Sequence, residues 1–149
     1  MLKYLIDNKL VIGNFYLNKS KLSYQKIQVL ETKAFGKMLV LNGIIATTEA
    51  DEHILHEHLV HPAFKLNSQL ENVLVIGGGD GGSVRELLKY PQVKRIVLAE
   101  IDAKIIEVAK EFFPSISVGL GNPKVEICIE DGYSGGTFSD SVDSSFLSL

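Results

Sequence analysis

Residues 73–86, with the sequence VLVIGGGDGGSVRE, decide the fold. Four apolar residues lead directly into six residues of which five are glycine. Ser83 and Glu86 follow at the spacing of a helix N-cap and its reciprocal partner. The stretch therefore predicts a strand, a tight turn and a helix, which is the first unit of a nucleotide-binding α/β sheet. The glycines that satisfy G-x-G-x-x-G, and so permit a sharp turn and close approach of a ligand, are Gly77, Gly79 and Gly82.

An acidic residue at the end of the next apolar strand strengthens this interpretation. Residues 95–100 (RIVLAE) end in Glu100, 18 residues after Gly82. A carboxylate at that place can accept hydrogen bonds from both hydroxyls of a ribose. The alternative is a glycine-rich turn that binds no ligand.

Asp80, inside the glycine loop, argues against a dinucleotide as the ligand. A pyrophosphate needs amide donors and no negative charge at this place. A carboxylate repels a diphosphate and attracts a cation, so a nucleoside that carries positive charge, such as a sulfonium, suits the site better. The alternative is that Asp80 only caps the turn through local amides.

The composition limits the classes of protein to which the chain can belong. The chain has 149 residues, 46% of them hydrophobic and 22% charged, which is typical of a globular protein. A net charge of −3 argues against a nucleic-acid partner, and no apolar run approaches a membrane span. The single cysteine, Cys128, excludes an internal disulfide, and the first residues lack the apolar centre of a signal peptide. We therefore expect a cytoplasmic protein.

Residues 1–50 predict a small antiparallel β-domain. Residues 9–17, 23–32 and 37–41 are rich in β-branched and aromatic residues with partial alternation. Asn42 and Gly43 between two apolar runs predict a hairpin with a type I′ turn. Such a sheet is marginal alone and needs a partner surface.

Residues 49–61 (EADEHILHEHLVH) predict a helix that ends at Pro62. All four histidines of the chain lie here, and His53, Glu57 and His61 share one helical face. The H-E-x-x-H pattern is not met, so we predict no metal site. The histidines are His53, His56, His58 and His61.

A β-α-β-α-β order follows a short linker over residues 65–71. Helices are predicted over residues 83–89 and 103–113, and a third strand over residues 124–129. That strand leads into Glu130, Asp131 and Gly132. The carboxyl ends of parallel strands share one edge, so acidic groups of all three strands should converge on one crevice.

Residues 133–149 break the pattern. They hold six serines, two glycines and no basic residue, and neither helical nor strand periodicity is convincing. A sheet of only three strands would leave residues 73–76 as an exposed apolar edge. The expected architecture is a β-domain (residues 1–50), the start of an incomplete methyltransferase-like Rossmann fold (residues 51–132) and an atypical tail.

The chain resembles the N-terminal part of the spermidine synthases, the polyamine aminopropyltransferases. The resemblance runs in unbroken order from about residue 10 to Gly132. It implies a β-domain followed by a Rossmann-like domain, assembled as homodimers or homotetramers, and no resident cofactor. The segments that carry it are YQKI (24–27), GKMLVLNG (36–43), TEADE (48–52), HE (56–57), VIGGGDGGSVRE (75–86), EID (100–102) and DG (131–132).

The resemblance implies transfer of an aminopropyl group from decarboxylated S-adenosylmethionine to putrescine, giving spermidine and 5′-methylthioadenosine. Gln25 would contact the donor, Glu100 its ribose, and Asp131 with Gly132 its adenine. His56 and Asp80 would hold the amine substrate and the aminopropyl end of the donor.

Two departures from the family pattern bear on activity. Leu55 stands where an aromatic residue usually precedes the His-Glu pair, which affects the choice of acceptor amine. The catalytic Asp of the family, in an Asp-Ser-x-Asp-Pro loop, lies beyond the matched region. Residues 140–144 (DSVDS) have a similar sequence but follow no apolar strand and lack the proline, so we interpret the similarity as chance.

Three functions therefore stay open at this point. The first is an aminopropyltransferase, present here in truncated form. The second is a non-catalytic fragment that binds a nucleoside or forms oligomers. The third is an S-adenosylmethionine-dependent methyltransferase, against which the β-domain and Asp80 argue.

Overall fold

A computed structural model describes residues 11–13, 25–130 and 146–148. The chain divides into two compact units, Met1–His53 and Ile54–Leu149. The first unit holds a β-sheet, and the second holds helices around a parallel sheet. This is the predicted class: a small antiparallel β-domain followed by an incomplete Rossmann-like fold.

The first unit is an antiparallel sheet in the order β1-β2-β3-β4. Its buried apolar residues include a small core cluster of Leu30, Met38 and Val40. The pairing of β3 with β4 shifts between Leu39 and Val40. The strands are β1 (Val11–Gly13), β2 (Ile27–Thr32), β3 (Gly36–Leu41) and β4 (Ile44–Thr48).

The turn between β3 and β4 is the predicted type I′ turn. Asn42 has φ 52° and Gly43 has φ 85°, and positive values at both central residues define this turn. The Asn42 Oδ1 atom accepts a hydrogen bond from the backbone N–H of Lys26 at 2.9 Å. The side chain therefore ties the turn to the start of β2.

Helix α1 (Glu52–Leu66) begins later and ends later than predicted. Glu49, expected in its first turn, instead accepts a hydrogen bond from the Lys37 N–H at 2.7 Å. Pro62 lies inside the helix, so the prediction that it ends the helix is wrong. An internal proline costs about 3 kcal/mol. Burial of Phe64, whose ring stacks on Tyr90 with centroids 3.7 Å apart, offsets that cost.

The second unit contains a parallel sheet in the order β7-β6-β5-β8. If the four strands of this sheet are numbered in chain order, their order across the sheet is 3-2-1-4, as in doubly wound dinucleotide-binding folds. Its two central strands are continuous apolar runs because helices can cover both faces. The strands are β5 (Asn72–Ile76), β6 (Arg95–Glu100), β7 (Val125–Ile129) and β8 (Phe146–Ser148).

Strand β8 corrects the expectation that β5 is an unpaired edge. Its three residues pair in parallel with residues 72–74 of β5. The sequence of the tail predicts no strand because three residues are too few for a period to be recognised. The remaining two residues of β5, Val75 and Ile76, extend beyond this pairing.

The helices of the second unit are α2 (Gly82–Leu87), α3 (Ala103–Phe112) and a 3₁₀ helix (Ser117–Gly121). The predicted capping box is wrong, because α2 begins after Gly81, which adopts φ 89° and makes no side-chain cap. The bounds of α3 agree with the prediction. The core joins α1, α2, α3 and the sheet through residues that include Val60, Phe64, Val73, Val84, Leu87, Ile96, Leu98 and Ile106.

No helix among the described residues is long and apolar enough to cross a membrane.

We expect Gly43→Ala to lower the free energy of unfolding by about 1–2 kcal/mol, because an alanine is strained at this positive φ. The matched control is Gly121→Ala. A Cβ at either glycine has no neighbour within 4 Å, but the φ of Gly121 is not positive. Urea unfolding of both variants measures the difference, and equal losses would contradict a type I′ turn.

Candidate functional site

The candidate site lies at the carboxyl ends of the parallel strands, where β5 passes into the glycine loop. Gly77 follows Ile76 and adopts φ 77°, a backbone conformation that would be strained in a residue with a side chain. The Gly77 N–H donates to the carbonyl of Ala99 on β6 at 2.8 Å. The loop therefore leaves the sheet directly above the end of β6.

Glu100 ends β6 and is buried beneath this loop. Its Oε2 atom accepts a hydrogen bond from the Gly79 N–H at 3.0 Å, and its Oε1 atom accepts one from the Asp102 N–H at 3.0 Å. Each carboxylate oxygen can accept a second hydrogen bond, so both can still receive a ligand hydroxyl. A Cβ at Gly79 would lie 2.8 Å from Oε2, so only glycine permits this contact.

Asp80 and His56 form a buried pair beside the loop. The His56 Nε2 atom lies 3.5 Å from the Asp80 Oδ1 atom, and both side chains are largely buried. The same Oδ1 atom accepts the Gly82 N–H at 2.9 Å. Asp80 therefore caps the turn, as one interpretation of the sequence held, and also contacts a histidine from another helix.

The pKa of Asp80 lies below its usual value although burial opposes this. Burial alone would raise the pKa, because it penalises the charged form. The hydrogen bond and charge of His56, the Gly82 N–H and the charge of Arg85 outweigh that effect. Asp80 is therefore held as a carboxylate in a buried position.

Gly82, the last glycine of the motif, makes room for His56. A Cβ on Gly82 would overlap the imidazole ring of His56. The sequence analysis assigned this glycine to the backbone turn, and the structure adds a packing role between α1 and the start of α2.

Asp102, which the sequence analysis did not single out, caps the helix after β6. Its Oδ1 atom accepts the Lys104 N–H at 3.1 Å at the start of α3. An aspartate immediately before a predicted helix is an N-cap signal that could have identified it. The Asp102 Oδ2 atom is buried, and the described residues provide no partner for it.

Glu86 is fully buried within a cluster of cationic partners. Arg85 binds its Oε1 atom at 3.0 Å, Lys89 binds its Oε2 atom, and the His61 Nε2 atom lies 3.3 Å from Oε2. Burial would raise the pKa of Glu86, but Lys89 and Arg85 lower it below its usual value. Glu86 therefore links α2 to α1 as a carboxylate and does not cap the helix.

Glu57, His61 and Glu86 place one possible metal-ligand atom each within 4.8 Å of one another, among the residues the structure describes. Both oxygens of Glu86 already bind cationic side chains, Arg85 and Lys89. A divalent ion would have to displace Lys89 and would meet the charge of Arg85. This donor set does not suit a metal ion, and the absence of a metal site stays a prediction.

The remaining predicted site residues lie in the first unit or outside the described part of the chain. Gln25 lies in the first unit, two residues before the start of β2, and is half-buried. Asp131 and Gly132 lie outside the described residues, as do Asp140 and Asp143. Glu130 reaches the shared edge, because its N–H donates to the Glu100 carbonyl at 3.1 Å.

Two family models match the chain. The spermine/spermidine synthase domain matches residues 52–136. The spermidine synthase tetramerisation domain matches residues 5–49. Together the two models account for most of the chain.

Curated relatives carry one function name. A polyamine aminopropyltransferase of Bacillus cereus is 46% identical over 120 residues, which are 80% of this chain and 44% of the relative. A polyamine aminopropyltransferase of a Thermoanaerobacter species is 49% identical over 112 residues, which are 75% of this chain and 40% of that relative. The chain thus spans less than half the length of the curated relatives it matches.

Solved structures agree with these relatives. Spermidine synthase from Thermotoga maritima superposes with a TM-score of 0.72 at 40% identity, over 74% of this chain and 39% of that chain. A spermidine synthase in complex with the transition state analogue AdoDATO gives a TM-score of 0.72 at 39% identity, over 78% of this chain and 39% of that chain.

We expect Gly82→Ala to lower the free energy of unfolding by about 1–3 kcal/mol, because the added methyl group overlaps His56. In a His56→Ala background the overlap disappears, so the same substitution should cost much less. Urea unfolding of the wild type, the two single variants and the double variant gives the coupling energy between the two positions. An equal loss of unfolding free energy in both backgrounds would refute the packing role.

We also expect the stabilisation by the Asp80 charge to be lost in acid. A carboxylate whose folded pKa is lowered contributes stability above its unfolded pKa, near 3.8, and loses it as the pH falls through the folded value. The difference in unfolding free energy between wild type and Asp80→Asn should therefore be constant above about pH 5 and shrink below pH 4. Chemical unfolding between pH 2.5 and 7 measures it. The His56→Ala background, which lacks the main partner, should show a smaller pH-dependent change.

Proposed function

The chain belongs to the spermine/spermidine synthase family, and on this premise we propose that it binds the donor nucleoside for aminopropyl transfer. The donor is decarboxylated S-adenosylmethionine and the acceptor is putrescine. The products are spermidine and 5′-methylthioadenosine.

One observation carries the proposal: the glycine loop contacts two buried carboxylates. Gly79 donates to Glu100, and Asp80 lies within the loop itself. The donor carries a sulfonium and a protonated amine, and the acceptor is a diamine. A buried acidic crevice attracts such cations and disfavours a nucleoside diphosphate.

The proposed roles follow the chemistry of each group. Glu100 accepts hydrogen bonds from the ribose, as an acid at the end of the second strand does in related folds. Asp80, held charged beside His56, attracts the ammonium of the amine substrate or of the aminopropyl group. The donor contacts of Gln25, Asp131 and Gly132 complete the proposal and rest on the family resemblance.

The reaction itself is a substitution at carbon. The neutral acceptor nitrogen attacks the methylene carbon next to sulfur, the C–N bond forms, and the electron pair of the C–S bond passes to sulfur. The acceptor amine has a pKa near 10 and must first lose a proton. Among the described residues the proposal assigns no catalytic base.

The proposal includes no resident cofactor, because the sulfonium donor supplies both the group and its leaving ability. It also includes a homodimer or homotetramer, supported by the match of residues 5–49 to a tetramerisation domain. The proposed compartment is the cytoplasm, supported by the single cysteine.

We expect the chain to bind 5′-methylthioadenosine, and Glu100→Gln to weaken that binding by about 1.5–3 kcal/mol through loss of a charge-assisted hydrogen bond to ribose. The control is Glu71→Gln. Glu71 immediately precedes β5, at the end of the strand opposite the glycine loop, and pairs with Lys94 at 2.7 Å. Titration calorimetry should give an unchanged affinity for this control.

The outcomes separate the candidate functions. An affinity that Glu100→Gln leaves unchanged would refute the ribose assignment. Binding without release of methylthioadenosine from decarboxylated S-adenosylmethionine and putrescine would favour a non-catalytic nucleoside-binding role. Turnover at ordinary enzyme rates that Asp140→Asn abolishes would place the base in residues 133–149, against the interpretation of that segment given above.

A further inference from the structure

The orientation of Glu100 depends on two backbone N–H groups from different elements. Gly79 of the glycine loop donates to Oε2, and Asp102 of the turn into α3 donates to Oε1, each at 3.0 Å. A carboxylate fixed at both oxygens presents its remaining lone pairs in one direction. Loss of either donor would let the side chain rotate.

The side chain of Asp102 fixes the backbone that supplies one of these donors. Its Oδ1 atom accepts the Lys104 N–H at 3.1 Å, and its carbonyl accepts the Ile105 N–H at 3.0 Å. These bonds hold residue 102 at φ −119° and ψ 96°, the extended geometry of an N-cap. The Asp102 N–H therefore points at Glu100 because the Asp102 side chain caps the helix.

The first turn of α3 also packs against the glycine loop. A Cβ at Gly79 would lie 3.1 Å from the Ile105 Cγ2 atom as well as 2.8 Å from Glu100. A shift of this turn would therefore act on the loop and on Glu100 together.

We propose that Asp102 is a positioning residue for the nucleoside site, and that it acts through Glu100. The helix cap at Asp102 holds the N–H that orients the Glu100 carboxylate towards the ribose hydroxyls. The ribose part of this inference rests on the proposed function, whereas the effect on Glu100 does not. A cap that only stabilised α3 would leave the orientation of Glu100 unchanged.

Three variants separate these roles. Asp102→Ala removes the cap, and Asp102→Ser removes the same charge but keeps a capping oxygen. Serine is preferred to asparagine because the Asp102 Oδ2 atom is buried without a partner among the described residues, and an amide there would bury unpaired donors. Asn122→Ala is the matched control, because Asn122 Oδ1 accepts the Lys124 N–H at 2.9 Å in an equivalent bond before β7.

The first measurement needs no ligand. Hydrogen exchange of the Gly79 amide reports its bond to the Glu100 Oε2 atom. Asp102→Ala should speed this exchange between about 2-fold and 30-fold, the range expected for a lost cap. Asp102→Ser and Asn122→Ala should leave it within about 2-fold of wild type. Unchanged Gly79 exchange in Asp102→Ala overturns the proposal.

The second measurement compares 5′-methylthioadenosine with its 2′-deoxy analogue by calorimetry. Wild type should prefer the ribose form about 10-fold or more. Asp102→Ala should reduce this preference at least 3-fold, and Asp102→Ser should restore it. Equal weakening of both ligands in Asp102→Ala would mean that the cap acts only on stability, against the proposal. If wild type binds neither nucleoside, the proposed function fails, while the Gly79 exchange still decides whether Asp102 positions Glu100.

Discussion

A single buried carboxylate, that of Glu100, joins two pieces of backbone at the end of β6. It accepts one N–H from the glycine loop at Gly79 and one from the turn into α3 at Asp102, and its carbonyl accepts the Glu130 N–H after β7. A buried carboxylate without such partners would cost several kcal/mol. The loop and the helix start are therefore held together by the need to satisfy one carboxylate, whereas the bond to Glu130 is a backbone bond that continues the pairing of β6 with β7. The position of the candidate ribose site follows from that need.

Two polar pairs connect α1 to the segment that begins α2. His56 lies 3.5 Å from Asp80 beside the glycine loop, and His61 lies 3.3 Å from Glu86 one and a half turns further along α1. Gly82 lets the imidazole of His56 approach the helix start closely. Two of the four histidines that first suggested a metal site, His56 and His61, are thus partners of buried carboxylates. Such pairs orient helices because the removal of one partner leaves a buried charge.

Three sequence predictions are wrong where contacts outside the local pattern decide the structure. Pro62 was expected to end α1 because a proline removes a local hydrogen bond, but the stacking of Phe64 on Tyr90 comes from a residue 26 positions away. Ser83 and Glu86 have the spacing of a capping box, yet Glu86 is drawn towards His61, Arg85 and Lys89. Strand β8 is too short to show a period and exists through its pairing with β5. Pro62 and β8 therefore depend on contacts with residues far away in the chain, and Glu86 combines one distant partner, His61, with its near neighbours Arg85 and Lys89.

The sequence by itself determined the β-α-β-α-β order of residues 73–129, the type I′ turn at Asn42 and Gly43, and the strand–glycine loop–helix unit. These depend on backbone preferences and on apolar periodicity, which act over a few residues. It also predicts Asp80, His56 and Glu100 as candidate site residues. Only the tertiary structure decided what these side chains contact, that Asp102 supports Glu100, and that Glu86 links two helices. Burial and charge pairing bring together residues that lie far apart in the chain, and no local pattern encodes those distances.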